Sequence, residues 1–193
     1  MALDVGFNCG APRRGELLAL EWESVDFERH RIHWRKTTRL GSRGTKRPKN
    51  RRARWAPGPA RLFDVLRAEL ERQRRAQLKG APPPKYVVCS PTGLRWTERN
   101  FSRCWESLRR KFGDKARPLA FHSTRHSHIS WALASGVSPK QLSERAGVSL
   151  EVLFSNYAHA LPDHNEPTDY LATEPPARKP RAPTSGTGLH QIH

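Results

Sequence analysis

Two short stretches hold residue types that together could do phosphate chemistry. They are Phe121-His122-Ser123-Thr124-Arg125-His126 and, about thirty residues later, Asn156-Tyr157-Ala158-His159. His122 and Arg125 are three residues apart and share one face if the segment is helical. A tyrosine set among basic residues can serve as a nucleophile rather than a packing residue. Transfer of a phosphoryl group needs a positive clamp, a proton carrier and an attacking atom. An arginine, a histidine and a phenol supply these three.

The bulk composition fits a polyanionic partner. The chain has 193 residues, with 35 Lys+Arg against 18 Asp+Glu, a formal charge of +17. Such an excess points to nucleic acid. No lysine-rich amphipathic helix favours a membrane surface, and no apolar run reaches spanning length. Cys9, Cys89 and Cys104 are scattered and odd in number, so neither a disulfide framework nor a zinc site is indicated, and a reducing compartment fits. The first residues, Met1 to Gly6, have no basic or apolar signal region.

The elements that must position these residues read as follows. Met1 to Phe7 looks like the end of a helix, Gly10-Ala11-Pro12 like a turn, and Arg13 to Trp22 like a helix opened by Pro12. In it, Leu17, Leu20 and Trp22 face the core. Ser24–Glu28 and Arg31–Thr37 alternate as short strands, with Arg51–Ala56 returning as a third after a polar hairpin loop from Arg39 to Pro48. Arg61–Leu78 is the longest amphipathic helix, and Tyr86–Cys89 is a buried extended run. Thr97 caps a helix to Phe112 with Phe101, Trp105 and Leu108 inward. Further helices run from Ser123 to Ser135, from Ser138-Pro139 to near Gly147, and from Ser149 through Tyr157. Trp22, Trp105 and Trp131 read as core, and His128, His190 and His193 as structural or solvated. The fold class is therefore α+β, mostly helical, with a small three-stranded antiparallel sheet. Residues 1–171 form the domain, and residues 172–193 a Pro- and Arg-rich tail without apolar periodicity, expected to be disordered.

Four boxes in this order resemble the catalytic domain of the tyrosine recombinases, the phage integrase family. Arg13-Arg14-Gly15-Glu16-Leu17-Leu18-Ala19-Leu20 is similar to the family's first-arginine helix. Pro48-Lys49-Asn50-Arg51-Arg52 sits where the family keeps a hairpin lysine. His122-Ser-Thr-Arg125-His126 resembles its H-x-x-R-H box, and Asn156-Tyr157-Ala158-His159 its tyrosine segment.

The resemblance implies a mechanism without metal or cofactor. Arg13 and Arg125 would grip the nonbridging oxygens of a DNA phosphate with their planar forks and stabilise charge in the transition state. Tyr157 would attack phosphorus and hold the DNA as a 3′-phosphotyrosine. Lys49 would protonate the leaving 5′-oxygen, and His122 would handle the tyrosine's proton or bond the phosphate. Arg43, Lys46, Arg47, Arg51, Arg52 and His126 would contact DNA. The implied partner is double-stranded DNA, bound by a homo-oligomer, with no small-molecule substrate, in a bacterial or phage-derived cytoplasmic setting associated with the nucleoid.

Two departures from the family pattern stand out. Val148 follows Gly147 where the family usually places His or Trp, and valine has no side-chain donor. The chain also starts just before the first-arginine helix, without the family's amino-terminal DNA-clamping domain, and so reads as a fragment, a late-start gene or a decayed relic. A rival reading takes residues 139–157 as a helix-turn-helix in a non-catalytic DNA-binding protein, with Val148 packed inside the turn and Ser149–Tyr157 in the major groove.

Overall fold

The computed structural model describes residues 1–38, the backbone of 45–46, and residues 53–116 and 118–161. Two short helices come first, α1 (Ala2–Asn8) and α2 (Arg14–Leu18), then a 3₁₀ turn (Trp22–Ser24). Among the described residues, five short strands follow: β1 (Val25–Asp26), β2 (Arg31–Trp34), β3 (Thr37–Thr38), β4 (Thr45–Lys46) and β5 (Arg54–Pro57). The rest is helical: α3 (Ala60–Gln77), α4 (Glu98–Lys111), α5 (Ser123–Ala134), α6 (Pro139–Ala146) and α7 (Leu150–Tyr157). The compact unit spans Met1–Pro162. The expected tail of residues 172–193 lies outside the described residues. Among the described residues, no helix is long and apolar enough to cross a membrane.

The three-stranded antiparallel sheet is present, in the order β1-β2-β5. Ile32 sits opposite Val25 on one side and Ala56 on the other. Strand alternation buries Ile32 and Trp34 and leaves Arg31 and His33 half-buried. On the outer face Trp55 stacks on His33 at 4.4 Å, with the Arg31 guanidinium 4.2 Å from its ring centre. The stretch read as one strand from Arg31 to Thr37 divides: Thr37–Thr38 leaves the sheet and pairs with Thr45–Lys46 as the root of the expected hairpin. Among the described residues the third strand runs over Arg54–Pro57; Arg51 and Arg52, where it was expected to begin, lie outside them.

The first-arginine helix is shorter than its pattern suggests, ending at Leu18 rather than Trp22. The chain from Leu20 to Trp22 instead trades backbone hydrogen bonds with Lys85–Val87: Val87 N donates to Leu20 O and Trp22 N to Lys85 O, each at 3.0 Å. Tertiary pairing overrides local helix propensity here. Pro12 does not open the helix either. Gly10 (φ 66°) and Ala11 (φ 45°) form a left-handed turn, and Arg13 is the extended cap residue before Arg14. Ser138 precedes Pro139 as the cap residue of α6 but makes no side-chain cap hydrogen bond, whereas three other helix ends act as expected. Thr97 Oγ1 accepts from Asn100 N at 3.2 Å, Ser149 Oγ from Val152 N at 3.3 Å, and Gly147 ends α6 at φ 61°.

Two cores result. The larger, around Leu17, Leu18, Ile32, Trp34, Phe63, Leu66 and Phe121, joins the sheet to α1–α4. The smaller lies among α5–α7 and holds Ala11, Ile129, Leu133, Leu142, Ala146, Leu153 and Tyr157. Trp22 and Trp105 pack against the larger core. Trp131 does not join a core. It is 66% exposed on the outside of α5 and meets Phe7 edge-on at 5.1 Å.

Candidate active site

The site is built where α5, α7 and the α1–α2 turn converge. Phe121 fixes the start of α5: it is buried and meets Phe101 and Trp105 edge-on at 5.1 and 5.6 Å. Arg125 follows one turn later and is only 4% exposed. Its Nη1 donates to the carbonyl of Ala11. The left-handed turn at Gly10-Ala11 thus presents a backbone acceptor to this guanidinium. Burial, then the charges of Arg13 and Arg54, push the Arg125 pKa down to about 10, against the opposing effects of Glu16 and Tyr157. It remains a cation at neutral pH, so the pocket holds an excess of positive charge that a bound phosphate would neutralise.

The structure separates the two adjacent arginines of the first box. Arg14 points to α4, where it bonds Glu98 Oε2 at 2.9 Å and Ser102 Oγ at 3.1 Å. Arg13 is half-buried, and its positive charge helps to lower the pKa of both Arg125 and His122.

Glu16 explains how Arg13 is held. Its carboxylate is 1% exposed and accepts from Arg13 N at 2.8 Å. It also takes a bidentate pair from Arg54, Nη1 to Oε1 at 2.7 Å and Nη2 to Oε2 at 3.0 Å. Arg54 Nε donates to Arg145 O at 2.9 Å. A Cβ added to Gly147 would lie 3.2 Å from three atoms of the same guanidinium. One side chain therefore ties β5 to the first-arginine helix and to the turn before α7. Burial raises the Glu16 pKa, but the Arg54 hydrogen bonds and charge, with the Arg13 amide, bring it below the ordinary carboxylate value. Sequence reading missed Arg54, because one arginine among many carries no local signal.

Tyr157 closes the pocket. The residue is 5% exposed and belongs to the α5–α7 core. Its hydroxyl lies 2.8 Å from His126 Nδ1. The exposed ring of His126 meets His122 edge-on, with centroids 4.8 Å apart. Burial raises the phenol's pKa, opposed by the charge of Arg125, so the phenol keeps its proton at neutral pH. Burial, then His126, Arg125 and Arg13, lower the pKa of His122, which keeps it neutral. Val148 packs against the smaller core, and its backbone is held by Ser143: N to Ser143 O at 3.2 Å and Ser143 Oγ to Val148 O at 2.6 Å. It offers the site no side-chain donor.

The structure thus brings together Arg13, His122, Arg125, His126 and Tyr157. Lys49, Arg43, Arg47, Arg51 and Arg52, and the side chain of Lys46, lie outside the described residues. His128 is structural: its Nδ1 lies 2.6 Å from Phe7 O. Among the described residues, no cluster of His, Cys, Asp and Glu is arranged to hold a metal.

Comparison with known proteins gives the family. A curated relative, the tyrosine recombinase XerC-like protein of Caldanaerobacter subterraneus subsp. tengcongensis, is 26% identical over 169 residues, covering 78% of this chain and 43% of that protein. The Tn1549 transposon integrase, solved in complex with a circular intermediate DNA, superposes with a TM-score of 0.70 at 20% identity, over 82% of this chain and 53% of that one. The XerA recombinase gives 0.62 at 20% identity, over 84% and 53%. The catalytic domain of bacteriophage HP1 integrase gives 0.55 at 17% identity, over 93% and 84%. The chain spans about half the length of the XerC-like, Tn1549 and XerA proteins. The phage integrase family model matches residues 2–164, nearly the whole compact unit. By that match, and by a fold shared with recombinase catalytic domains, the chain belongs to the phage integrase family.

Proposed function

We propose that this chain carries out the chemical step of site-specific DNA recombination. Tyr157 attacks a phosphodiester, forms a 3′-phosphotyrosine and releases a 5′-hydroxyl, and the reverse reaction joins a new partner strand. One observation carries the reading: the Tyr157 hydroxyl is held 2.8 Å from an imidazole, in the field of the buried Arg125 cation. Arg125 and Arg13 bind the nonbridging oxygens, His122 hydrogen-bonds the phosphate, and Lys49 protonates the leaving oxygen. Val148 supplies no donor, so the rate falls by about 10²–10³ relative to a site with that hydrogen bond.

The direct test uses a pool of nicked duplexes of randomised sequence, because the target site is unknown. A protein–DNA adduct that survives denaturation supports the reading, and sequencing of the trapped DNA gives the site. DNA binding has its own signature. The basic hairpin segment (Arg43, Lys46, Arg47, Arg51, Arg52) and the arginine pocket should release counterions on binding. With about six phosphate contacts, affinity should fall by roughly 10³-fold between 50 and 200 mM salt. A gel-shift or anisotropy titration measures this, and a flat salt response would exclude that footprint.

The helix-turn-helix rival draws on one observation, that α6, Gly147 and α7 have the right order with Val148 packed inward. Against it, α7 carries no Lys or Arg and exposes Leu150, Val152 and Phe154. Such a helix face is poorly suited to a phosphate-lined groove.

A further inference from the structure

The proposed reaction leaves one proton without a carrier, the one on the attacking phenol. Two imidazoles stand near it, and they are not equivalent. His122 abuts the ring of His126 edge-on, while His126 makes the hydrogen bond to the Tyr157 hydroxyl through Nδ1 at 2.8 Å. His122, the cap residue of α5, and His126 lie one helical turn apart, so the two rings share one face. His126 is also exposed, so a proton it receives can pass to solvent.

We propose that His126 is the catalytic base that takes the proton from Tyr157 as its oxygen attacks phosphorus, leaving His122 free to bond the phosphate. The proposal rests on the tyrosine-nucleophile reading. The base role uses the tautomer in which Nδ1 accepts the phenol's hydrogen bond. As the Tyr157 O–P bond forms, the phenolic proton moves to Nδ1 and the P–O5′ bond breaks. The departing 5′-oxygen takes its proton from Lys49. In the reverse step a 5′-hydroxyl attacks phosphorus, the O–P bond to Tyr157 breaks, and the imidazolium returns its proton to the phenolate. Base and nucleophile are thus matched in both directions, and no outside reactant is needed.

Among the described residues, His122 meets the His126 ring edge-on from the start of its own helix, and Arg125 is its neighbour in the chain. From the elements packed on α5, Tyr157 and the exposed His159, on the 3₁₀ turn Ala158–Ala160, are the titratable candidates.

The test uses randomised duplexes ending in a 3′-(4-nitrophenyl) phosphate. Nitrophenolate leaves without a proton, so the Lys49 step is bypassed and the phenol's proton transfer is isolated. His126→Asn places an amide oxygen where Nδ1 was, so it keeps an acceptor for the hydroxyl but cannot carry a proton away. His126→Leu removes both. A base role predicts that both variants release nitrophenolate about 10²–10⁴-fold more slowly. It also predicts that the rate of the Asn variant climbs with hydroxide where the wild-type rate does not, and that added imidazole restores part of that variant's activity. A purely positional role predicts that Asn stays within a few-fold of wild type with an unchanged pH profile, and that outcome overturns the proposal while leaving Tyr157 as nucleophile. If the wild-type protein forms no adduct, or if Tyr157→Phe still forms one, the underlying reading and this proposal both fall.

Discussion

Replacing Tyr157 by phenylalanine is expected to abolish the covalent DNA adduct completely while sparing the fold and DNA binding. The argument is one of atoms. Phenylalanine keeps the ring that fills the space beside Ile129, Leu133, Leu142 and Leu153, so the α5–α7 core loses no apolar volume. It removes only the oxygen. The structural cost is then one hydrogen bond to a solvent-exposed imidazole, about 0.5–1.5 kcal/mol. The chemical cost is total, because no other atom of the ring can attack phosphorus. The measurement is a denaturing gel with nicked, randomised duplexes, run beside an anisotropy titration and a thermal melt. An adduct that persists in the Phe variant would show that another residue is the nucleophile. Loss of folding together with loss of adduct would show that Tyr157 acts mainly by packing.

The second large effect concerns Arg54, a residue that touches no DNA in this reading. Arg54→Met should destabilise the domain by about 3–5 kcal/mol, because it strands the Glu16 carboxylate in a site that is 1% exposed. For a domain of this size that lowers the melting temperature by on the order of 10 °C. The double variant Arg54→Met/Glu16→Gln removes the stranded charge and should recover part of the loss, since the two sites share one interaction. The pH dependence has a definite sign. In the wild-type protein Glu16 titrates below the ordinary carboxylate value. Its contribution is complete above that ordinary value, and it is lost as pH falls toward the depressed folded pKa. In Arg54→Met the unpaired, buried carboxylate should titrate above the ordinary value, so that variant suffers least in acid. The gap between the two melting curves should therefore narrow as pH drops from 7 to 4. A constant gap would mean that Arg54 acts through packing alone.

Arg54 also shows what the sequence could and could not disclose. Boxes with local signatures were legible. The H-x-x-R segment needed only helical spacing, and Ser149, Gly147 and Thr97 marked helix ends by capping chemistry that acts within three residues. The sheet was legible as well, because Ile32 and Trp34 alternate with half-buried neighbours. Interactions spanning long sequence distances were not. The Glu16–Arg54 pair joins residues 38 apart and the Arg54–Arg145 bond residues 91 apart. The early end of α2 depends on pairing with Lys85–Val87, which no propensity near Leu18 announces. Trp131 fits the helical period of α5, yet it points outward, since Ile129 and Leu133 already fill the inner face. His126 was legible as the last residue of the H-x-x-R-H box and as a DNA contact, but its contact with the phenol depends on how α7 packs on α5.

The burial of Cys9 gives the domain a chemical clock. Its thiol donates to Ala56 O at 3.2 Å in the seam between α1 and β5, and burial raises its pKa to about 12. Cys104 is exposed on α4 and Cys89 lies between the two extremes. A thiolate-seeking reagent should therefore mark Cys104 first and Cys89 next, reaching Cys9 only when α1 lifts from the strand. The lag before the third label would time the opening of the same seam that holds the Gly10-Ala11 turn, and with it the carbonyl that anchors Arg125.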